Sequence, residues 1–183
     1  MNFHSIILES LRESNDYAKI ILNWCGYERM DLIYRGSKDG MSSKSFHDKC
    51  DNKGPTITLY KNEKCIFGGY SPISWSSHGN YHTSNDCFIF TLINIFNIKP
   101  TKFPLKNNNQ YAVCHNPTYG PCFGGGHDIS ISNPDFNNND LYSKFPYSYQ
   151  DTLGKGKSIF TGDYNNYNAF FNLEEIEVFI LSN

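Results

Sequence analysis

The chain has 183 residues, a net charge of −2 and an isoelectric point near 6.3. This composition excludes two classes of protein. There is no block of Lys or Arg to bind nucleic acid, and no apolar run approaches the roughly 18 residues of a membrane span. Aromatic residues are abundant, with 13 Tyr and 14 Phe, which is typical of pleated, half-buried strands. We therefore predict one domain with its own core, no nucleic-acid partner and no membrane span.

The first 28 residues are predicted to be mainly helical. Residues 3–25 have a helical pattern, and the polar run 14–16 interrupts it and offers a cap for a second helix over 17–24. Gly26 fits the C′ position that ends this helix. A strand is then predicted at 31–35, followed by a sharp turn at 38–40 and a short helix that Ser42 caps.

From Thr56 onward the hydrophobic period changes to two, which predicts strands. Residues 56–60 and 65–68 form a hairpin across a four-residue loop. The aromatic and β-branched run 87–93 suits a strand buried on both faces. Further strands are predicted at 102–105, 111–114, 127–132 and 175–181. The predicted core consists of Ile57, Leu59, Phe67, Phe88, Phe90, Leu92 and Ile129.

Together these elements predict an α+β, mainly β fold. Short strands at turn-rich spacing, with helices gathered at the start, favour two antiparallel sheets in a β-sandwich flanked by a few helices. Residues 1–28 would be the helical part and residues 29–183 the sandwich with its flanking short helices. Residues 133–162 are polar and lack periodicity, so they are predicted to form a functional or mobile loop.

An even number of cysteines allows three disulfides as one interpretation. However, the first residues lack the basic start and continuous apolar stretch of a signal peptide. No N-x-S/T glycosylation site is present either, because Pro117 follows Asn116. These features favour free thiols in an intracellular, cytoplasmic protein. The thiols concerned are Cys25, Cys50, Cys65, Cys87, Cys114 and Cys122.

Six short motifs follow one another along the chain: LIYRGSKDG, SFHDKCDNKGPT, CIFGGYSPISWSS, CFIFTL, CFGGGHDI and EEIEVF. In this order they resemble the TLDc domain of the oxidation-resistance protein family, over about residues 5–181. The resemblance implies a central β-sandwich of two antiparallel sheets flanked by helices. It also implies a link to oxidative-stress protection and, for several members, binding and regulation of the vacuolar proton-pumping ATPase. It implies no set of catalytic residues.

Several motif residues are predicted to have structural roles. Arg35 and Asp39 are expected to fix the turn after the first strand through local hydrogen bonds, and Trp75 is expected to anchor the core. The triple glycine is not followed by a helix, as a phosphate loop would be, so a bulge or close backbone approach is predicted there. The remaining structural positions are Gly40, Gly68, Gly69, Gly124, Gly125 and Gly126.

Two pairs of side chains are candidates for catalysis. Cys50 and His47 lie three residues apart on the short helix and share a face, as a thiolate nucleophile and its base would. Alternatively, Cys50 packs as a small apolar residue and His47 faces solvent. Glu175 and Glu177 share one face of the last strand, where they either perform acid–base chemistry or lie exposed. The sequence identifies no catalytic residue.

A metal site is a further possibility that the spacing does not favour. Cys114, His115, Cys122 and His127 are residue types that bind zinc. Their spacings match no zinc finger or ribbon, and adjacent residues of a strand point to opposite faces. His78 and His82 form half a site at best. No metal and no cofactor are predicted.

The function that the sequence favours is a non-catalytic interaction domain with a protein partner, the vacuolar ATPase being implied by the resemblance. Recognition residues usually lie on loops of a rigid scaffold, and tyrosines supply amphipathic contact area. The candidate binding residues are Tyr81, His82, Tyr142, Tyr147 and Tyr149. Two alternatives stay open: a thiol- or carboxylate-dependent enzyme built on the pairs above, and a sugar-binding β-sandwich with Tyr-, Asn- and Trp-rich loops.

Overall fold

The computed structural model describes residues 4–12, 14–131, 135–136, 141–165 and 170–183. Over these residues the chain forms a six-stranded antiparallel sheet, two three-stranded antiparallel sheets and several short helices. The predicted α+β, mainly β class is confirmed. The second layer of the sandwich consists of two small sheets, which a single antiparallel bridge between Phe123 and Ile129 connects.

The element bounds are as follows. The helices are α1 (Ile6–Glu9), α2 (Ser14–Cys25), α3 (Gly36–Asp39), α4 (Ser43–Cys50) and α5 (Ser158–Thr161). The strands are β1 (Arg29–Arg35), β2 (Thr56–Lys61), β3 (Ile66–Ser71), β4 (Tyr81–His82), β5 (Phe88–Ile93), β6 (Thr101–Pro104), β7 (Val113–Cys114), β8 (Cys122–Phe123), β9 (Ser130–Ile131), β10 (Leu141–Tyr142), β11 (Phe170–Phe171) and β12 (Glu175–Ser182).

The large sheet has the strand order β1-β12-β2-β3-β5-β6, so the last strand lies between the first two. The small sheets have the orders β4-β7-β8 and β11-β10-β9. The predicted hairpin is present: β2 pairs with β3 from Thr56 opposite Ser71 to Lys61 opposite Ile66. Its connection is four residues long, as predicted.

Two apolar cores lie on opposite faces of the large sheet, because successive side chains of a strand point to opposite faces. The helix-side core joins α1 and α2 to one face and contains Ile57, Leu59, Phe88, Phe90 and Leu92. The sheet-side core lies between the other face and the small sheets, and contains Phe67 and Ile129. All seven predicted core residues are buried, and the structure divides them between two cores.

Gly68 and Gly69 let aromatic rings lie directly against β3. A Cβ atom on Gly68 would lie 2.1 Å from the carbonyl oxygen of Thr58 and 2.5 Å from the ring of Phe90. A Cβ atom on Gly69 would lie 2.5 Å from the ring of Phe123. The two glycines therefore serve opposite faces of the sheet, and their predicted structural role is supported by this close packing.

The turn after β1 forms through local hydrogen bonds, as expected. The backbone N–H of Arg35 donates to Asp39 Oδ2 at 2.9 Å. Gly40 has a φ of +109°, a conformation that side chains disfavour, and its carbonyl accepts the Tyr34 hydroxyl at 2.9 Å. Ser42 then caps α4 by accepting the backbone N–H of Ser45. The turn and the cap are present, but the Arg35 and Asp39 side chains do not pair with each other: Arg35 pairs with Glu177, and Asp39 pairs with Lys49.

The prediction that residues 133–162 form one long loop is wrong over the part that the structure describes, because β10 and α5 lie in this segment. Phe145, Tyr149, Ile159 and Phe160 are buried in the sheet-side core, so this polar segment also carries apolar residues that the sandwich needs. The rest of the predicted segment includes 133–134 and 137–140, which lie outside the described residues. The predicted strand 127–132 is reduced to β9, and its last residue also lies outside them.

The longest helix among the described residues is α2, with 12 residues. A bilayer needs about 20 apolar residues in a helix. In this part of the chain no helix has the length and apolar character that crossing a membrane requires.

Candidate functional site

The two glutamates of β12 are buried, so the expectation that they lie exposed is wrong. Glu177 is fully buried and accepts hydrogen bonds from the Ser5 hydroxyl at 2.6 Å and the Ile6 N–H at 3.1 Å. Its other partner is Arg35, whose Nη2 lies 2.7 Å from Glu177 Oε1. Glu177 therefore holds the first turn of α1 and the end of β1 against the last strand.

Glu175 has a similar local role at α3. Its Oε1 accepts the backbone N–H of Ser37 at 3.1 Å and that of Ile176 at 2.9 Å. The side chain is almost fully buried. Since both carboxylates bind backbone or charged partners of the fold, a structural role accounts for the pair.

Cys50 and His47 are also integrated into the fold. Cys50 is fully buried, and burial raises the pKa of its thiol far above the usual value. The expectation that His47 faces solvent is wrong: its Nδ1 lies 2.7 Å from Asp51 Oδ1, and its Nε2 lies 3.1 Å from the carbonyl oxygens of Asn116 and Tyr119. Both ring nitrogens are thus occupied: Nδ1 binds the residue that ends α4, and Nε2 joins α4 to the loop before β8.

The four zinc-type residues do not converge. Cys114 and Cys122 are paired residues of β7 and β8, whereas His115 binds Ser76 through Nδ1 at 2.9 Å. His127 packs instead against the ring of Tyr119. Among the residues that the structure describes, no group of three or more His, Cys, Asp or Glu side chains is arranged to hold a metal ion.

His82 and His115 lie close together beneath the loop that contains His78. Their ring centroids are 4.4 Å apart. Burial, and next the neighbouring His82, lower the pKa of His115 to about 4. His115 is therefore neutral at pH 7, and its Nε2 is buried without a hydrogen-bond partner.

The triple glycine forms a tight turn against which tyrosine side chains lie. A Cβ atom on Gly125 would lie 2.6 Å from Tyr111 Cβ, and one on Gly126 would lie 2.1 Å from Tyr147 Cγ. Gly124 has a φ of +89°, which favours glycine. The predicted close approach is supported, and its consequence is that two aromatic side chains pack directly over the backbone.

Three exposed tyrosines meet at this turn, and we call Tyr81, Tyr111 and Tyr147 the tyrosine surface. Their exposed fractions are 38%, 50% and 58%. The rings of Tyr81 and Tyr111 meet edge to face with centroids 5.2 Å apart, and the Tyr81 hydroxyl donates to the Gly125 carbonyl at 3.3 Å. The surface therefore brings together residues from β4, the loop before β7 and the segment after β10.

Hydrogen bonds anchor the part of this surface that carries Tyr147. Asp128 Oδ1 accepts the Tyr147 N–H at 2.7 Å, and its Oδ2 accepts the Ser148 N–H at 2.8 Å. Lys106 Nζ donates to the carbonyl of Tyr147 at 2.8 Å. Burial raises the pKa of Asp128 to about 6, although the backbone N–H donors oppose this shift. The loop that carries Tyr147 is thus fixed by groups beneath it.

Only part of the predicted binding set lies at this surface. Tyr81 and Tyr147 belong to it, and His82 is half-buried beside Tyr81. Tyr142 lies in the other small sheet, where its ring contacts Phe170. Tyr149 is fully buried and donates its hydroxyl proton to the Ala112 carbonyl at 2.7 Å. The prediction that Tyr149 is an exposed contact residue is therefore wrong.

Tyr111 is the member of the surface that sequence reasoning missed. It was predicted as a strand residue, although β7 begins two residues later. The signal that points to it is its position two residues after the asparagine-rich turn at 107–109, where an aromatic residue ends a polar loop.

Two concave regions lie elsewhere on the described part of the molecule. One, of about 680 Å³, is lined by Tyr164 and Phe170 beside Asn62, Asn165 and Asn172. The other, of about 600 Å³, lies between α2 and the β5–β6 edge. Neither contains the Cys50–His47 pair nor the Glu175–Glu177 pair, so the predicted catalytic groups lie outside both concave regions.

Comparison of the sequence with known proteins gives one family match and shorter matches to individual proteins. Residues 4–182 match the family model of the TLDc domain. Part of the chain is also similar to Interferon-induced protein 44. The human protein is 37% identical over 65 residues, which is 36% of this chain and 14% of that protein. The Mus musculus protein is 35% identical over 52 residues, which is 28% of this chain and 12% of that protein. The aligned regions are thus a small fraction of these relatives.

The match to the TLDc family model, by contrast, extends over nearly the whole chain. The chain therefore belongs to the TLDc-domain family.

Proposed function

We propose that this TLDc domain is a non-catalytic, protein-binding domain and that the tyrosine surface is its contact region. The observation that carries the proposal is that exposed Tyr81, Tyr111 and Tyr147 lie together at the glycine turn, where hydrogen bonds to Asp128 and Lys106 hold the loop of Tyr147. Tyrosines are enriched among the residues that dominate interface energies. A surface that is already ordered loses little conformational entropy when it binds.

The roles of the other candidate side chains support a non-catalytic domain. A nucleophilic thiol must ionise readily, whereas burial raises the pKa of Cys50. A pair of catalytic carboxylates must reach a substrate, whereas Glu177 is fully buried and bound to Arg35 and the start of α1. The burial and bonding of these side chains stabilise the fold, and this role accounts for their presence.

The proposed partner is a protein, and membership of the TLDc family makes a subunit of the vacuolar proton-pumping ATPase the first candidate. Such binding would connect the domain to oxidative-stress protection, and it would place the domain inside the cell. The chain covers a small part of Interferon-induced protein 44, so that relative suggests no partner for this domain.

The proposal is tested by capture from native lysate with the purified domain, followed by mass spectrometry and measurement of the affinity for the captured partner. Replacing Tyr81, Tyr111 and Tyr147 by Ala should weaken binding by at least about tenfold, because interface tyrosines commonly contribute more than 1 kcal/mol each. The matched control is Tyr164→Ala, which removes a tyrosine of 67% exposure outside the surface.

The same variants should be compared in cells that lack the protein and are challenged with peroxide. Loss of protection in the tyrosine variants, with Cys50→Ser and Glu175→Gln remaining active, would support binding. If a folded Cys50→Ser or Glu175→Gln variant abolishes protection while the tyrosine variants retain it, the proposal is wrong and an enzyme is favoured.

A second candidate, sugar binding, is favoured by the groove beside Tyr164 and Phe170. Both aromatic rings are more than half exposed, and amide side chains of Asn165 and Asn172 line the same groove. Aromatic faces beside amides can stack on and hydrogen-bond to a sugar. Binding on a glycan array that Tyr164→Ala abolishes, and that the tyrosine-surface variants retain, would assign this function to the groove.

A further inference from the structure

Cys114 and Cys122 lie directly opposite each other in the small sheet. They are paired residues of the antiparallel strands β7 and β8. Directly opposed residues of antiparallel strands have Cα atoms about 4.5–5.5 Å apart. A disulfide needs a Cα separation of about 4.4–6.8 Å. A bond between the two sulfur atoms is therefore compatible with the existing backbone positions, although both thiols are free in the structure.

The surroundings of Cys114 stabilise a thiolate. Hydrogen bonding from the Cys122 thiol is the main influence that lowers the pKa of Cys114, to about 7, and the Asn116 N–H acts in the same direction against the effect of burial. Such donors also favour the charged form of other acidic groups.

The other cysteines are different, which makes Cys114 distinctive within the chain. Burial raises the pKa of Cys25 and Cys87 to about 12 and that of Cys65 to about 11. Cys50 and Cys122 are shifted upward as well, also by burial. The thiolate is the reactive form of a cysteine. Cys114 is therefore the most readily ionised cysteine of the six. The thiol of Cys122 lies opposite it on the facing strand.

We propose that Cys114 and Cys122 form an oxidation site, at which a hydroperoxide converts the two thiols into a cross-strand disulfide. Cys114 is the residue that reacts with the peroxide first, since it retains 5% exposure and Cys122 retains none. Cys122 then closes the bond. This site is separate from Cys50, which lies at the end of α4 and packs in the sheet-side core.

The chemistry balances with the hydroperoxide as the sole oxidant. The Cys114 sulfur attacks one peroxide oxygen, an S–O bond forms, and the O–O bond breaks. The leaving oxygen takes up the proton that Cys114 released and departs as water or an alcohol, which leaves a sulfenic acid. The Cys122 sulfur then attacks the Cys114 sulfur, the S–O bond breaks, and the hydroxyl leaves with the Cys122 proton as water. Two thiols are oxidised and one peroxide is reduced.

The test treats the reduced full chain with hydrogen peroxide, blocks remaining thiols by alkylation, and maps peptides by mass spectrometry. We expect a disulfide that joins the Cys114 and Cys122 peptides, with the other four cysteines still alkylated. At pH 7 Cys114 should react on the order of a hundredfold faster than Cys87, because its larger thiolate fraction outweighs its lower intrinsic nucleophilicity. The reaction should slow as pH falls below about 7.

Variants separate the two steps. Cys114→Ser should lose the fast reaction, whereas Cys122→Ser should keep it and accumulate a sulfenic acid that dimedone traps. Cys87→Ser is the matched control and should behave as the unaltered chain does. If either strand variant fails to fold, peptide mapping of the unaltered chain decides. A disulfide at other positions, or six thiols that all remain alkylatable after excess peroxide, overturns the proposal.

Discussion

Ser5 and Glu177 lie 172 positions apart in the sequence, and the Ser5 hydroxyl donates a 2.6 Å hydrogen bond to the buried Glu177 carboxylate. The same carboxylate accepts the N–H of Ile6 and binds the guanidinium of Arg35. One side chain thus ties the first helix, the first strand and the last strand together. A negative charge is also favourable beside the free N–H groups of a helix start.

We expect Glu177→Gln to destabilise the fold by about 3 kcal/mol, because it leaves Arg35 without its charged partner in a mostly buried position. Glu174→Gln is the control. That residue pairs with Lys61 at 3.3 Å in an exposed position, and its replacement should change stability by less than about 1 kcal/mol. Urea unfolding measures both. Equal effects for the two variants would contradict the role assigned to Glu177.

Phe90 should be essential to the helix-side core. Its side chain is fully buried, and its ring contacts Trp24 with centroids 5.7 Å apart. Phe90→Ala should reduce the free energy of unfolding by about 3–5 kcal/mol through lost burial and the cavity that remains. Phe170→Ala, at an exposed position, should cost less than about 1 kcal/mol. A melting temperature unchanged by Phe90→Ala would remove this residue from the core.

Two neighbouring tyrosines provide a matched test of burial. Tyr149→Phe removes the hydrogen bond from its hydroxyl to the Ala112 carbonyl and should cost about 1 kcal/mol. Tyr147→Phe changes a side chain with 58% exposure and should have an effect below about 0.5 kcal/mol. Thermal unfolding of both variants measures the difference, and the reverse order would place the wrong tyrosine in the core.

His115 should make the fold less stable in acid. Burial holds the pKa of His115 near 4 in the folded protein, against about 6.5 in the unfolded chain. Between these values only the unfolded chain binds the proton. The free energy of unfolding should therefore decrease by up to about 3 kcal/mol as the pH falls from 6.5 to 4. His115→Asn should lose this contribution, whereas His78→Asn, an exposed position, should keep it.

Asp128 should change the free energy of unfolding in the opposite direction over a similar range of pH. Burial raises the pKa of Asp128 to about 6 in the folded protein, so between pH 4 and 6 the folded state binds the extra proton. Asp128 therefore adds up to about 3 kcal/mol to the free energy of unfolding at low pH, and this contribution is lost as the pH rises through 6.

Denaturant unfolding at several pH values can separate the contributions of His115 and Asp128 to stability. Asp128→Asn should make stability rise more steeply between pH 4 and 6 than it does in the unaltered chain, and His115→Asn should make stability fall as the pH rises over this range. Parallel curves for all three proteins would exclude both groups as the source of the pH dependence.

The elements that sequence reasoning predicted well depend on neighbouring residues. Ser42 caps a helix through a residue three positions away, and the hairpin of β2 and β3 closes through a short loop. The alternation of Ile57 and Leu59 with polar residues likewise reports which face is apolar. Such signals are present in the sequence because their physical causes act within a few residues.

The errors concern side chains whose surroundings come from distant parts of the chain. Tyr149 lies in a polar segment, yet its hydroxyl reaches Ala112, 37 positions away. His47 was expected in solvent, but the loop that contains Asn116 covers it. Exposure of a side chain depends on what packs over it, and no local pattern contains that information.

The sequence by itself determined the mainly β class, the first hairpin, the cap of α4 and the family, because repeated periodicity and ordered motifs are local features. Only the tertiary structure decided that Tyr81, Tyr111 and Tyr147 share one surface and that Cys114 faces Cys122. Both results depend on pairing β7 with β4 and β8. Strands of two residues have too few side chains to specify their partners, so the packing of the whole sandwich selects them.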